Sequence, residues 1–167
     1  MRIRLFAFSI ALLTASVFAA LAFGRSDATG PCSSGTLAST ASYRMALDIG
    51  PPEEMYLASE VKARHLKTGE IMLGGEMSMI GTRPAGTRIY HLEVHICNRA
   101  GAVVTKLKPA IQVDQAMLPA ATMVGIGAPM SDYHYGNEIA LRPAAKITVK
   151  VTVKGQVAVF HATVPKR

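Results

Sequence analysis

Residues 146–163 commit the chain to a β-hairpin. In "KITVKVTV" the apolar residues Ile147, Val149, Val151 and Val153 take every second place, and Lys146, Thr148, Lys150 and Thr152 take the others. Successive side chains of a strand point to opposite faces, so a period of two describes a strand buried on one side. Lys154-Gly155 supplies a tight turn, and "QVAVFHATV" returns. With that turn Val153 faces Gln156, Val151 faces Ala158, Val149 faces Phe160 and Ile147 faces Ala162. Such a hairpin needs a second layer over its apolar face.

Other segments supply that layer. "RIYHLEVHIC" reads as a strand, "NRAG" as a turn, and "AVVTKLKPAIQVD" as its extended partner, interrupted at Pro109. "YRMALDIG" reads as the first strand of the domain, stopped by "GPPEE". "MYLASEVKARHLKTG" does not settle on one period, and Glu53 and Glu54 are placed to open a short helix through Arg64. "EIMLGGEMSMIGTRPAGT" reads as strand pieces around a loop, and "ATMVGIGAPMSDYHYGNE" as a long loop. Short strands with turn-rich connections predict an all-β fold, an immunoglobulin-like antiparallel sandwich. The sequence shows no internal repeat.

The 167 residues suit one domain, and a hydrophobic fraction of 50% is enough for a packed core. Much of that fraction lies near the start. Arg2 and Arg4 precede the apolar run "LFAFSIALLTASVFAALAF", and small residues at 20–24 suit a signal-peptidase cut. Residues 1–24 are therefore expected to be a secretory signal peptide, with an uncleaved membrane anchor as the lesser alternative. Residues 25–42, small and polar, read as a flexible linker, and 43–167 as the sandwich domain. A secreted location follows, and the resemblance described below makes it periplasmic. The net charge of +7 falls to +5 without Arg2 and Arg4. The remaining basic residues are scattered and lack interleaved aromatics, which excludes a nucleic-acid partner. Cys32 and Cys97 could pair in an oxidising compartment or stay as two separate thiols.

The chemistry concentrates in "YHLEVHICN", residues 90–98. Tyr90, Leu92, Val94 and Ile96 make one face and suit the core, while His91, Glu93, His95 and Cys97 make the other. Strand neighbours two apart are roughly 6.5–7 Å apart, so Glu93 can share an ion with either histidine. His91 and His95 are about 13 Å apart by the same rise and should not both reach one metal without a bulge. A second group is "PMSDYHYGNE", where His134 is expected in a loop with Met130 and Asp132. Methionine is dense, at 9 residues, and Met77 and Met79 alternate on one face of "EMSMIG". Imidazole with thioether suits copper, Cu(I) above all, and added carboxylate suits Cu(II) or iron. Met45 and Met72 are expected in the core. His65 and His161 are expected at the surface, with His161 also able to complete a site. No nucleophile elbow, phosphate loop, CxxC or HExxH is present, so an enzyme is not expected.

Two of these segments together resemble the bacterial periplasmic iron-transport family, copper- and iron-binding proteins associated with permease-type iron uptake. "HLEVHI" at 91–96 is similar to that family's "HLEADIH", and "MSDYHYGNEI" at 130–139 is similar to its "ASDGPHYGANI". The resemblance spans about residues 88–153. It implies an immunoglobulin-like sandwich, a homodimer with metal near the subunit interface, and an inner-membrane metal permease as partner. By position His91, Glu93 and His134 carry over as ligands. His95 stands where the family has Asp. Gly127 stands where it has a ligand methionine, with Met123 and Met130 on either side as substitutes. The expected function is capture of copper, iron or both for uptake, delivery or storage. The alternative is a non-catalytic periplasmic interaction module that presents an exposed His/Glu face to a protein and holds no metal.

Overall fold

A computed structural model describes residues 30–78 and 83–166. The signal segment and Met79 lie outside the described residues. Among the described residues eleven strands form two sheets. They are β1 (Thr36–Ser39), β2 (Tyr43–Gly50), β3 (Met55–Leu57), β4 (Glu70–Gly74), β5 (Arg88–Asn98), β6 (Ala110–Val113), β7 (Ala116–Leu118), β8 (Ala121–Gly125), β9 (His134–Leu141), β10 (Lys146–Val153) and β11 (Gln156–Thr163). The larger sheet runs β1-β2-β5-β9-β8-β4-β3 and the smaller β11-β10-β6-β7. Every pairing is antiparallel except β3 with β4. The fold is all-β, two sheets packed as a sandwich.

The core lies between the sheets. Tyr90, Leu92, Val94 and Ile96 of β5, with Met45 and Leu47 of β2, meet Ile147, Val149 and Val151 of β10 and Phe160 of β11. The terminal hairpin has the expected register, with Val153 opposite Gln156 and Ile147 opposite Ala162. The ambiguous segment divides into β3 and a short helix α1 (Ala58–Arg64). The Glu60 carboxylate accepts the Leu57 N–H at 2.8 Å at its start, and His65 ends it in the left-handed region.

Three expectations need correction. Residues 25–42 are not a flexible linker from residue 30 onward: a 3-10 turn at Pro31–Ser33 and strand β1 occupy this stretch, and Cys32 is bonded to Cys97. The ordered domain thus begins before Tyr43. The stretch after "NRAG" is not a full partner of β5. It pairs only briefly, Val104 donating to Ile96 O at 2.8 Å. At Lys106 (φ 61) it leaves, and β6 joins the other sheet beside β10. The Tyr135 hydroxyl clasps this crossover, accepting from Leu107 N at 3.0 Å and donating to Val104 O at 2.8 Å.

The third correction concerns 121–138, which is not a loop throughout. It contains β8, a 3-10 turn at Met130–Asp132 and the start of β9, whose first residue is His134. Gly136 and Asn137 look like strand breakers but serve the strand. A Cβ on Gly136 would lie 1.8 Å from the Leu92 carbonyl oxygen, so only glycine lets β9 close on β5. Asn137 is fully buried with its amide satisfied. Its Oδ1 accepts from Ser78 N, and its Nδ2 donates to Glu76 O and Pro119 O.

The disulfide bridges a sequence separation of 65 residues. Closing a loop of that length in the unfolded chain stabilises the fold by about 2–4 kcal/mol. The Cys32→Ala/Cys97→Ala double variant is therefore expected to unfold at a urea concentration about 1–2 M lower than the parent chain, read by circular dichroism.

Candidate metal centre

Register decides which side chains meet on the outer face of the larger sheet, because residues opposite each other on neighbouring strands share a face. His91 is opposite Glu138 and Glu93 opposite Gly136. Met123 is opposite His134, and Ala121 opposite Gly136. Glu70 is opposite Gly125, and Met72 opposite Met123. Imidazoles and carboxylates thus ring a floor of Gly136, Ala121 and Gly125, and the bare Gly125 lets the Asp132 carboxylate approach the sheet.

This face is buried, not exposed as the interaction reading needs. His91 is 0% exposed, His134 1%, Glu70 3% and His95 7%. The cover comes from two places. At one end Cys32 carries the Pro31–Ser33 turn onto β2 and β5. At the other, the connection after β2 folds over, and Glu53 N donates to Glu138 Oε1 at 2.9 Å.

Each imidazole has its Nδ1 turned to an oxygen. His134 Nδ1 donates to the Asp132 carbonyl at 2.7 Å, and His95 Nδ1 to the Tyr133 carbonyl at 3.2 Å. A carbonyl only accepts, so these rings, when neutral, carry their proton on Nδ1 and a lone pair on Nε2. His91 Nδ1 lies 3.4 Å from Glu138 Oε1. The Nε2 atoms converge on carboxylates: His134 at 3.0 Å from Glu70 Oε1, His91 at 3.3 Å from Glu70 Oε2, and His95 at 3.7 Å from Glu93 Oε2.

Proximity here does not mean hydrogen bonding. Both ring nitrogens of His91, Nε2 of His134 and Oε2 of Glu70 are buried without a hydrogen-bond partner. Orphaned buried polar atoms are costly, and four in one cluster call for a common partner. A metal with bonds of about 2.0–2.2 Å holds tetrahedral ligands about 3.3–3.6 Å apart, close to the spacings around Glu70. Glu70, His91 and His134 form one buried triad that could hold a metal ion, and Glu93, His95 and His134 form a second, with ligand atoms within 4.8 Å of one another in each. Glu53, Glu70 and Glu93 are grouped equally closely. His134 belongs to both histidine triads but has one lone pair free, so it serves one at a time.

The expected residues fall out as follows. His91, Glu93, His95 and His134 come together, with His134 at the centre and the two β5 histidines in separate triads. Met123 is fully buried on this face, opposite His134, outside the core between the sheets. Met130 and Met77 are exposed, at 58% and 47%. His161 lies on β11 of the other sheet, exposed and 3.4 Å from Thr148, and does not complete this site. Glu70, Glu138 and Glu53 are site residues that sequence reasoning missed, Glu70 the most consequential. Its one visible signal is an isolated acid that alternates with Met72 in an apolar strand.

The charges of the cluster act on one another. Burial alone would lower the pKa of His134, but the Glu70 carboxylate in contact and the Glu93 charge outweigh it and push the value up to about 9. His91 moves the same way, as Glu138 and Glu70 overcome burial. Burial would raise Glu93, but His95 in contact and the charges of His134 and His91 bring it below the usual carboxylate range. A raised imidazole stabilises the metal-free fold fully below about pH 6.5, and that contribution is lost as pH rises through about 9. The lowered Glu93 acts in the opposite sense, stabilising above about pH 4.5 and failing as pH falls further. In metal-free protein, the His134 ring is expected to titrate near pH 9 by NMR, and in Glu70→Gln to move down toward or below the ordinary histidine value.

Compared with protein-family profiles, with curated proteins and with solved structures, the chain matches none.

Proposed function

We propose that the protein is a periplasmic metal-binding sandwich that captures copper, alone or together with iron, and either passes it to an inner-membrane permease or stores it. The observation that carries this reading is a set of buried atoms without hydrogen bonds: His91 Nε2, His134 Nε2 and Glu70 Oε2 converge at ion-pair distance yet do not hydrogen-bond one another. Copper suits the donors. Imidazole and carboxylate fit Cu(II), which binds such sites most tightly among the divalent first-row ions, and the Met123 thioether opposite His134 adds a donor for Cu(I). Glu53, Glu93 and Glu138 add oxygen donors suited to iron. Nδ1 contacts to Asp132, Tyr133 and Glu138 are the outer supports that metal-binding histidines need.

The resemblance in "HLE" and "DYHYG" supports the same reading, as does the disulfide, which favours an oxidising compartment. Where the resemblance places a ligand methionine, Gly127 is exposed in the turn after β8, and Met123 takes its part. A homodimer belongs to this reading by resemblance alone. The interaction module without metal loses its main support, since the His/Glu face it would use is buried.

Calorimetric titration of metal-free protein with Cu(II) tests the proposal. One equivalent is expected to bind. His134→Ala removes a ligand from both triads and should weaken binding by at least about a hundredfold. His91→Ala and Glu70→Ala should weaken it too, while Met130→Ala and His161→Ala should not. Because the metal displaces a proton held up to about pH 9, affinity should keep climbing between pH 6.5 and 9, about tenfold per unit for each proton released. Absence of Cu(II) binding at micromolar protein, or binding indifferent to His134→Ala, would sink the reading.

A further inference from the structure

A buried cluster needs a route for its ion. A wide surface hollow of about 400 Å³ lies on the outer side of the sheet with His95 in its lining. One wall is the 30–34 segment, Gly30, Pro31 and Ser34, and the other is the 3-10 turn with Pro129 and Ser131. Both walls are fixed. The first is bonded through Cys32 to Cys97, which lies on the same face of β5 as His95 and two residues on. The second is held by Asp132, whose Oδ2 accepts from Gly125 N at 2.8 Å.

Asp48 and Asp132 also line this cavity. On a chain with a net charge of +7, two carboxylates at one opening favour a cation there. The Asp48 carboxylate stands against Gly35, where a Cβ would come within 2.6 Å of Oδ1 and the backbone has φ 74. A side chain at residue 35 would displace the carboxylate. The volume suits a hydrated ion: six waters at about 30 Å³ each occupy about 180 Å³.

We infer that this cavity is the route by which a hydrated metal cation reaches the cluster, drawn in by Asp48 and met first by His95 Nε2. The inference rests on the metal-binding reading above and adds to it the form in which metal arrives and the residues that control its rate. Water ligands are shed in the cavity, where Asp48, Asp132 and the Ser34 and Ser131 hydroxyls replace part of the hydration shell. Passage through Glu93 and His95 then leads to the shared His134.

Stopped-flow mixing of the full, disulfide-bonded protein with Cu(II) alone tests the route, read by quenching of tyrosine fluorescence. Asp48→Asn is expected to lower the association rate roughly two- to fivefold at low salt, with the difference shrinking as ionic strength rises. Ser131→Trp fills the cavity and, in a chain with no other tryptophan, reports on it directly. It is expected to slow association and dissociation by the same factor, about tenfold or more, leaving the equilibrium constant unchanged. A changed equilibrium constant with unchanged association would mean a disturbed site and would overturn the route. Parent-like rates in both variants would place the route elsewhere. Failure of the parent protein to bind Cu(II) at all would instead bring down the metal-binding reading itself.

Discussion

A carboxylate only 3% exposed, as Glu70 is, needs partners, because an unpaired charge in the interior costs several kcal/mol. Its partners are the His134 ring at 3.0 Å and the His91 ring at 3.3 Å, which oppose its charge when protonated. Much of the surrounding architecture follows from bringing these groups together. Glu70 is on β4, His91 on β5 and His134 on β9, and β8 lies between β4 and β9 in the sheet. The strands must therefore be in register across four neighbours for the three groups to meet. A one-residue slip of any strand would turn its charged member into the apolar core. The electrostatics and the strand register thus protect each other.

The fold was largely legible because its strongest signals are local. The alternation from Lys146 to Thr163 and the Lys154-Gly155 turn set both the hairpin and its register. The alternation in β5 likewise separated the core face from the polar face. What resisted reading was long-range. Gly136 and Asn137 carry ordinary breaker signals, and only the approach of Leu92 O and the partners of the Asn137 amide explain why they sit in a strand. The burial of the polar face of β5 did not show in the sequence, because its covers come from the Cys32 turn and the Glu53 segment, neither adjacent to it in sequence. Glu70 was missed for the same reason: its meaning depends on partners on other strands.

The two faces of β5 also divide the labour of the domain. Tyr90, Leu92, Val94 and Ile96 bury completely against the second sheet and anchor the strand. The intervening residues are then free to be chemically expensive, since their backbone is already held. Binding groups on a rigid strand are placed more accurately than groups on a loop. The two glycines complete the arrangement: Gly136 lets β9 close on β5, and Gly125 lets the Asp132 carboxylate reach its N–H.

Asp132 and Tyr133 present consecutive peptide carbonyls, one to His134 Nδ1 and the next to His95 Nδ1. A single dipeptide thus orients two imidazoles that stand 5.4 Å apart, centre to centre. The rings behave as two wheels on one axle. Any displacement of this dipeptide rotates both together, so their relative aim survives small movements of the backbone better than the aim of either one alone.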